Sequence, residues 1–514
     1  MCAHLLELRL GEAFLLMPQD ATALAAACPR LRSASFRLAF DGPGIAALAD
    51  GARLPRGCCV SLEAGAEWLC YVHRRHRRDR ELRDAFSIAL AAVGAAGGSL
   101  SAASTDSALN RRSNTTAGLL ALATTSPAAL ASLKKLDLRN CTIPHDGERS
   151  TLAAVLGSCP QLQCFRSCWH NLSHVELRTL AALPALSFLD VSHKPRDGNT
   201  DYAAALRAGL EAAAHSGHTM RHLVLDASCC ALHDVGVAEL AAAISGGAGV
   251  RRLYVSGNHI SDAGATALAD ALVVCGRAVQ TRRASSLHVL GLTDNLLTAV
   301  GVTALAHALQ APGVRLRRLD LCRSGTCGDT GAVALAQALT APGCPLEELR
   351  LRHCGVGTQG ALALAAAIET AAASASAAGA AGAPRLPTML KVLMLDGSAC
   401  GDDGAVALAR ALSTPGCALE LLSIRLCGVT QRGALALAAA LRRNRTLKSL
   451  RLYSNPLTTR GMTALLAAIG AGGNTRRAGG VTNTTLEKLN LPKQMRREVS
   501  AQTRERLRGR VSFG

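Results

Sequence analysis

Four residues with the chemistry of metal ligands stand close together: Cys164, Cys168, His170 and His174 read CxxxCxHxxxH, with Trp169 inside the pattern. Thiolates and imidazoles at such spacing could hold zinc. The surrounding residues read as a strand, however, and two cysteines four residues apart on an extended chain are separated by about 13 Å. Unless the segment bends, they cannot share one ion. Structural cysteines and histidines are expected, with no metal and no cofactor, and Trp169 is a candidate protein contact. The densest basic run, HRRHRRDRELR at 73–83, could contact nucleic acid, but Asp79, Glu81 and Asp84 turn it into a solvated helix face. Arg282-Arg283-Ala284-Ser285 has the form of a basophilic kinase site, and phosphorylation of Ser285 would remove up to about two units of positive charge. The phosphate-binding loop GxxxxGK[ST], the metalloprotease helix HExxH and the nucleophile elbow GxSxG do not occur, so no enzymatic activity is expected.

A second set of chemically able residues is spread over a hundred positions: Arg350, Arg352, Arg425, Arg451 and Tyr453, with Asp320 and Asp396 between them, and Tyr254 further upstream. Arginine and tyrosine are common anchors at protein interfaces, and guanidinium groups pair with carboxylates and phosphates. What joins these residues is a repeat. In register the segments read LKKLDLRNC (133–141), MRHLVLDAS (220–228), VRRLYVSGN (250–258), LHVLGLTDN (287–295) and LRRLDLCRS (316–324). The series continues as LEELRLRHC (346–354), LKVLMLDGS (390–398), LELLSIRLC (419–427) and LKSLRLYSN (447–455). Poorer copies begin at 162 and 186, and a last strand, LEKLNL, begins at 486.

Leucines at the first, fourth and sixth places point inward along a short strand. The small polar ninth residue can satisfy backbone groups where the chain leaves it. Glycine and an apolar helix pattern follow, as in GAVALAQAL at 331–339, where Ala332, Leu335, Ala336 and Leu339 make one stripe. A unit of about 29 residues cannot bury its own apolar face, so neighbours must stack. The fifth and seventh places then face solvent on adjacent parallel strands, gathering the Arg and Tyr residues on one concave surface. GAVALAQALTAPGC at 331–344 returns as GAVALARALSTPGC at 404–417, 73 residues on. Insertions near 276–286, 370–388 and 472–482 share one helix-to-strand junction, so they should emerge along one edge.

The combination of LxxLxLxxN/C with GAxALAxAL resembles the ribonuclease-inhibitor-type leucine-rich repeat over roughly residues 133–491. The resemblance implies an α/β solenoid, a horseshoe with a parallel sheet on its concave face and helices on its convex face. It also implies a habit of binding proteins. The same repeat type occurs in NOD-like receptors and in the Ran GTPase-activating protein. A Ran-type activator is the regulatory alternative, but residues 474–514 are basic, with ten Arg and Lys against three Glu, where that family carries an acidic tail.

Residues 1–130 read as degenerate repeats or an N-terminal cap with a basic helix and a linker, 131–492 as the solenoid, and 493–514 as a basic tail. The chain has 514 residues, a net charge of +19, a mean hydropathy of +0.21 and only 13 aromatic residues. It is too apolar for a disordered protein and offers little for base stacking. Nucleic acid is therefore disfavoured as a partner, and a ribonucleoprotein component rests on charge alone. The 19 cysteines recur within the repeat and suggest reduced thiols. Glu7, Glu12 and Asp20 do not suit a secretory presequence, and no segment suits membrane insertion. These features lead to an expected cytoplasmic, non-catalytic scaffold, with cytoskeletal association compatible, that binds an acidic protein such as a cytoskeletal tail or a complex subunit.

Overall fold

A computed structural model describes residues 7–10, 33–38, 59–64, 99–101, 131, 134–137, 149–167, 172–193, 201–216, 222–280, 286–324, 327–381, 390–470, 482–499 and 509–513. The chain divides into two compact units: 1–231 with 242–250, and 232–241 with 251–514. In the first unit, β1 (Glu7–Leu10), β2 (Ser33–Leu38), β3 (Cys59–Ala64), β4 (Ser99–Ser101) and β5 (Lys135–Asp137) pair in sequence order, all parallel. They continue into β6 (Cys164–Arg166), β7 (Phe188–Asp190) and β8 (Leu223–Asp226), also parallel. Helices α1 (Arg149–Gly157), α2 (His174–Ala181) and α3 (Asp201–His215) alternate with the later strands. Leu136, Phe165, Leu189 and Leu225 stand opposite one another across this sheet and are buried.

After α4 (His233–Ser245), the second unit repeats the arrangement more regularly. Its strands are β9 (Val250–Tyr254), β10 (Val289–Gly291), β11 (Arg318–Asp320), β12 (Glu348–Arg350) and β13 (Val392–Met394). They are followed by β14 (Leu421–Ser423), β15 (Ser449–Arg451), β16 (Lys488–Leu491) and β17 (Val511–Phe513). Between them run α5 (Asp262–Gln280), α6 (Ala299–Leu309), α7 (Gly328–Thr340), α8 (Thr358–Ala381), α9 (Gly401–Ser413), α10 (Gln431–Arg443) and α11 (Thr459–Ala468). All neighbouring strands are parallel, as a strand–helix–strand connection requires. Leu253, Leu290, Leu319, Leu349, Leu393, Leu422, Leu450 and Leu489 occupy the fourth place of each repeat and line up as one buried row. The helix stripe Ala332, Leu335, Ala336 and Leu339 is buried against it. Among the described residues no helix is long and apolar enough to cross a membrane.

Two devices join one repeat to the next. At the ninth place, Asn455 donates from Nδ2 to the carbonyls of Ile424 and Leu452, and its Oδ1 accepts the N–H groups of Cys427 and Val429. Where cysteine stands instead, Cys354 Sγ donates to Leu321 O at 2.9 Å and Cys427 Sγ to Leu395 O at 3.2 Å. Each thiol thus replaces part of the amide's work in a buried turn. At the helix starts, an aspartate of one helix caps the next. Asp402 Oδ1 accepts the N–H groups of Thr430 and Gly433 at 2.8 and 2.9 Å, and Asp262 does the same for Thr298 and Gly301. A side chain at Gly433 would bring its Cβ to 2.7 Å from that carboxylate oxygen. The glycine of the helix pattern therefore permits the close approach.

Two of the expected insertions begin as helix: α5 continues to Gln280 and α8 to Ala381. Residues 281–285, 382–389 and 471–481 lie outside the described residues, as does the basic run 73–83.

Candidate binding face

Because the fourth and sixth residues of each repeat point inward, the third, fifth and seventh stand on the opposite side of the sheet. On β11 to β15 this side carries Arg318, Arg350, Arg352, Arg425 and Arg451 together with Asp320, Glu348 and Asp396. The register brings charges of opposite sign together. Arg318 Nε lies 2.7 Å from Glu348 Oε2, and Arg350 reaches both Glu348 at 3.3 Å and Asp320 at 3.7 Å.

The seventh places make a ladder across four strands. Arg352 Nε lies 3.1 Å and Arg425 Nε 3.0 Å from the same Asp396 oxygen. Beyond it, the Arg425 guanidinium stacks over the Tyr453 ring at 4.5 Å and donates to its hydroxyl. Asp396 is buried, and its other oxygen accepts the Ser423 hydroxyl and the Arg425 N–H. The expectation that the fifth and seventh places are uniformly solvent-facing therefore needs correcting at β13 and β14. Met394, Asp396 and Ser423 are buried, and the guanidiniums of Arg352 and Arg425 from the neighbouring strands close over Asp396.

The expected contact residues are thus in different states. Arg350, Arg352 and Arg425 are already engaged within the chain, and Arg425 is 17% exposed. Arg451, partly exposed in the fifth place of β15, has no carboxylate partner among the described residues. Tyr453 is the ladder's terminal ring. Tyr254 stands on β9 and lies over Gly291 of β10, where an added Cβ would meet its ring at 2.7 Å. Trp169, Cys168, His170 and Ser285 lie outside the described residues; Cys164 is on β6 and His174 begins α2.

One residue beside this face was not anticipated. Leu426 follows Arg425, is 59% exposed, and has a left-handed backbone with φ of 51°. That conformation suits glycine or asparagine better than leucine. The eighth place of the neighbouring repeats is left-handed too, as at His353, Gly397 and Ser454. A leucine at a place where others carry polar residues or glycine is a signal the sequence contained, but its meaning depends on the backbone.

Buried thiols complete the chemistry of the unit. Burial pushes Cys327 up to about 12, with Asp329 adding to the effect, and Cys354 up to about 12 as well, with Cys327 contributing. These are inert structural thiols rather than nucleophiles.

The comparisons agree with this architecture. The family model described as Leucine Rich repeat matches residues 250–269, 344–365 and 443–466. The chain is similar to the ribonuclease inhibitor of Sus scrofa, 27% identical over 346 residues, 67% of this chain and 63% of that protein. It is also similar to the ribonuclease inhibitor of Mus musculus, 28% identical over 36% of this chain and 30% of that one. A third relative is NACHT, LRR and PYD domains-containing protein 5 of Homo sapiens, 28% identical over 51% of this chain but 19% of that protein. The matched stretch is therefore less than two thirds of the length of each of these relatives. Strand and helix alternate within each unit, the fourth-place leucines share one register, and the ninth-place ladder closes the turns. With these features, the chain carries leucine-rich repeats in a strand–helix solenoid arrangement and is similar to the ribonuclease-inhibitor type of that repeat.

Proposed function

We propose that the protein is a non-catalytic scaffold whose sheet face on β11 to β15 binds an acidic segment of another protein. The observation that carries this reading is the shared carboxylate: one buried Asp396 orients two guanidiniums, Arg352 and Arg425, and leaves them with net positive charge. Arginines already held in place lose little conformational freedom on binding. Arg451 adds a cation with no internal carboxylate among the described residues, Tyr453 a ring and Leu426 an exposed apolar group. Arg350 lies on the same face, while Tyr254 and Trp169 are further contacts in this reading. The net charge of +19 favours an acidic partner and speeds encounter.

In this reading 131–492 is the binding body, with 1–130 as degenerate repeats or an N-terminal cap and 493–514 as a basic tail. Cys327, Cys354, Cys400 and Cys427 are free, buried thiols, which suits a reducing compartment such as the cytoplasm.

Crosslinking mass spectrometry in cells, comparing wild type with Arg451→Glu and with Leu426→Asp, tests the face. Loss of the same acidic proteins in both variants, at unchanged melting temperature, is the expected result. A partner set unaffected by either change would remove the binding site from this face.

A further inference from the structure

The second place of each repeat, at the edge where the strands begin, carries an alternating row: Arg317, Glu347, Lys391, Glu420, Lys448 and Glu487. From β12 onward these charges satisfy one another, with Lys391 at 2.8 Å from Glu347 and Lys448 at 2.7 Å from Glu420. At the other end the alternation fails. Arg251 and His288 precede Arg317 in the same row, and Arg315 stands two residues before it.

Together with Pro345 and Glu347, these residues line a pocket of about 340 Å³. Arg315 and Arg317 line it beside one carboxylate, Glu347, which is shared between Arg317 at 3.5 Å and the nearer Lys391. Arg315 is exposed and has no carboxylate partner among the described residues. The His288 ring is fixed by its Nδ1 contact with Ser286 O at 2.7 Å. Burial first, then Arg251, Arg317 and Arg315, lower its basicity against that bond, so the positive field reaches the pocket wall.

We infer that this pocket binds the phosphate group of a phosphorylated serine or threonine on a partner protein, with Arg315 and Arg317 as its ligands. Guanidinium forks match phosphate oxygens and a dianion would offset the local surplus. A nucleic-acid strand fits less well. The lining offers no aromatic platform for a base, and the carboxylates of Glu347 and Glu420 follow along the edge, where the next phosphates of a strand would lie. The inference does not depend on the sheet-face reading, because none of these residues belongs to the Asp396 ladder.

Calorimetric titration of the full chain tests it with four probes: acetyl-Gly-Gly-phosphoserine-Gly-Gly-amide, its serine twin, inorganic phosphate and a short oligouridylate. The phosphopeptide should bind and its twin should not. Arg315→Ala and Arg317→Gln should each weaken binding about tenfold or more, the loss of a charge-assisted hydrogen bond, at unchanged melting temperature. Arg410→Ala, on α9 away from the pocket lining, should leave it intact. Equal binding of the two peptides, or indifference to both arginine variants, would overturn the inference. Tighter binding of oligouridylate would assign the pocket to nucleic acid instead. Binding of inorganic phosphate with exclusion of the peptide would make it a free-anion site and likewise end the proposal.

Discussion

Asp396 Oδ2 and Arg425 Nε lie 3.0 Å apart on adjacent repeats, the carboxylate buried and the guanidinium largely covered by its neighbours. Arg352 approaches the same oxygen at 3.1 Å. A carboxylate taken out of water is tolerated only while its partners remain. Arg425 is therefore part of the structure as well as of the surface. Arg425→Glu should cost about 3 kcal/mol, the lower end for breaking a buried pair, and Asp396→Asn should cost a similar amount by freeing two arginines from their counter-charge. Urea unfolding of the two variants checks this. A midpoint unchanged in both would mean that the ladder adds nothing to stability.

Arg451 should behave oppositely. With no carboxylate to lose among the described residues, Arg451→Glu should shift stability by no more than about 0.5 kcal/mol, the usual range for a surface change. Its effect should appear in partner affinity and in the salt dependence of association. Measuring melting temperature and partner binding on the same preparation separates the two roles, and a large loss of stability would show that Arg451 is a structural residue.

Gly433→Ala places a methyl group 2.7 Å from Asp402 Oδ1, 2.7 Å from Val429 Cγ1 and 2.9 Å from Ala405 Cβ. Overpacking of this kind costs about 1–3 kcal/mol, although alanine is the better helix former. The aspartate cap and the helix spacing would both have to give. The unfolding free energy of Gly433→Ala from denaturant titration should fall by that amount relative to wild type; a rise would mean the helices slide apart without cost.

Much of this architecture was readable because it repeats. Leucines at the first, fourth and sixth places set the strand register, and the fourth-place leucines appear as one row in the second unit's sheet, whereas the segment read from 220 pairs two residues further on, with Leu225 opposite Leu189. The ninth-place residue announced a hydrogen-bonding turn, which Asn455 and Cys427 both make. What the pattern did not reveal was the internal engagement of the surface charges. Arg352, Asp396 and Arg425 are 29 to 73 residues apart in sequence, and their meeting depends on which strand neighbours which. The positive gap at Arg251, His288 and Arg317 was hidden for the same reason. Each is ordinary within its own repeat and becomes unusual only in the row. The exposed leucine at 426 needed the backbone angle before it stood out.

The thiols give a reactivity order. Burial raises Cys159, Cys322, Cys327 and Cys354 to about 12 and Cys275 to about 11, with Asp320 adding to the effect at Cys322. Cys229 is exposed. In brief alkylation of the native protein at mildly alkaline pH, Cys229 should be modified first among the described cysteines, and Cys327 and Cys354 only after denaturation. Peptide mapping reads the order directly, and equal labelling of Cys229 and Cys327 in the native state would refute it.

The inter-repeat caps predict the acid limb of the stability curve. Burial by itself would raise the Asp402 carboxyl, but the Thr430 hydroxyl, the N–H groups of Thr430 and Gly433, and Arg432 outweigh it and lower its pKa. At Asp234, burial is likewise outweighed by the Ser261 hydroxyl and N–H, the Gly264 N–H and His233. A carboxyl lowered in the folded state leaves the unfolded chain binding more protons as the medium acidifies. The stabilisation is therefore complete above the unfolded pKa of about 3.9, and it is lost as pH falls through the lower folded value. Asp234→Asn with Asp402→Asn removes both charges while keeping an oxygen that can accept the helix N–H groups. The double variant should be less stable than wild type at neutral pH, and the two should converge in acid, because protonation removes the same charges from wild type. Urea midpoints taken from neutral pH down to about pH 3, below that unfolded value, measure the convergence. Parallel curves across that range would show that these caps do not contribute to the acid sensitivity of the fold.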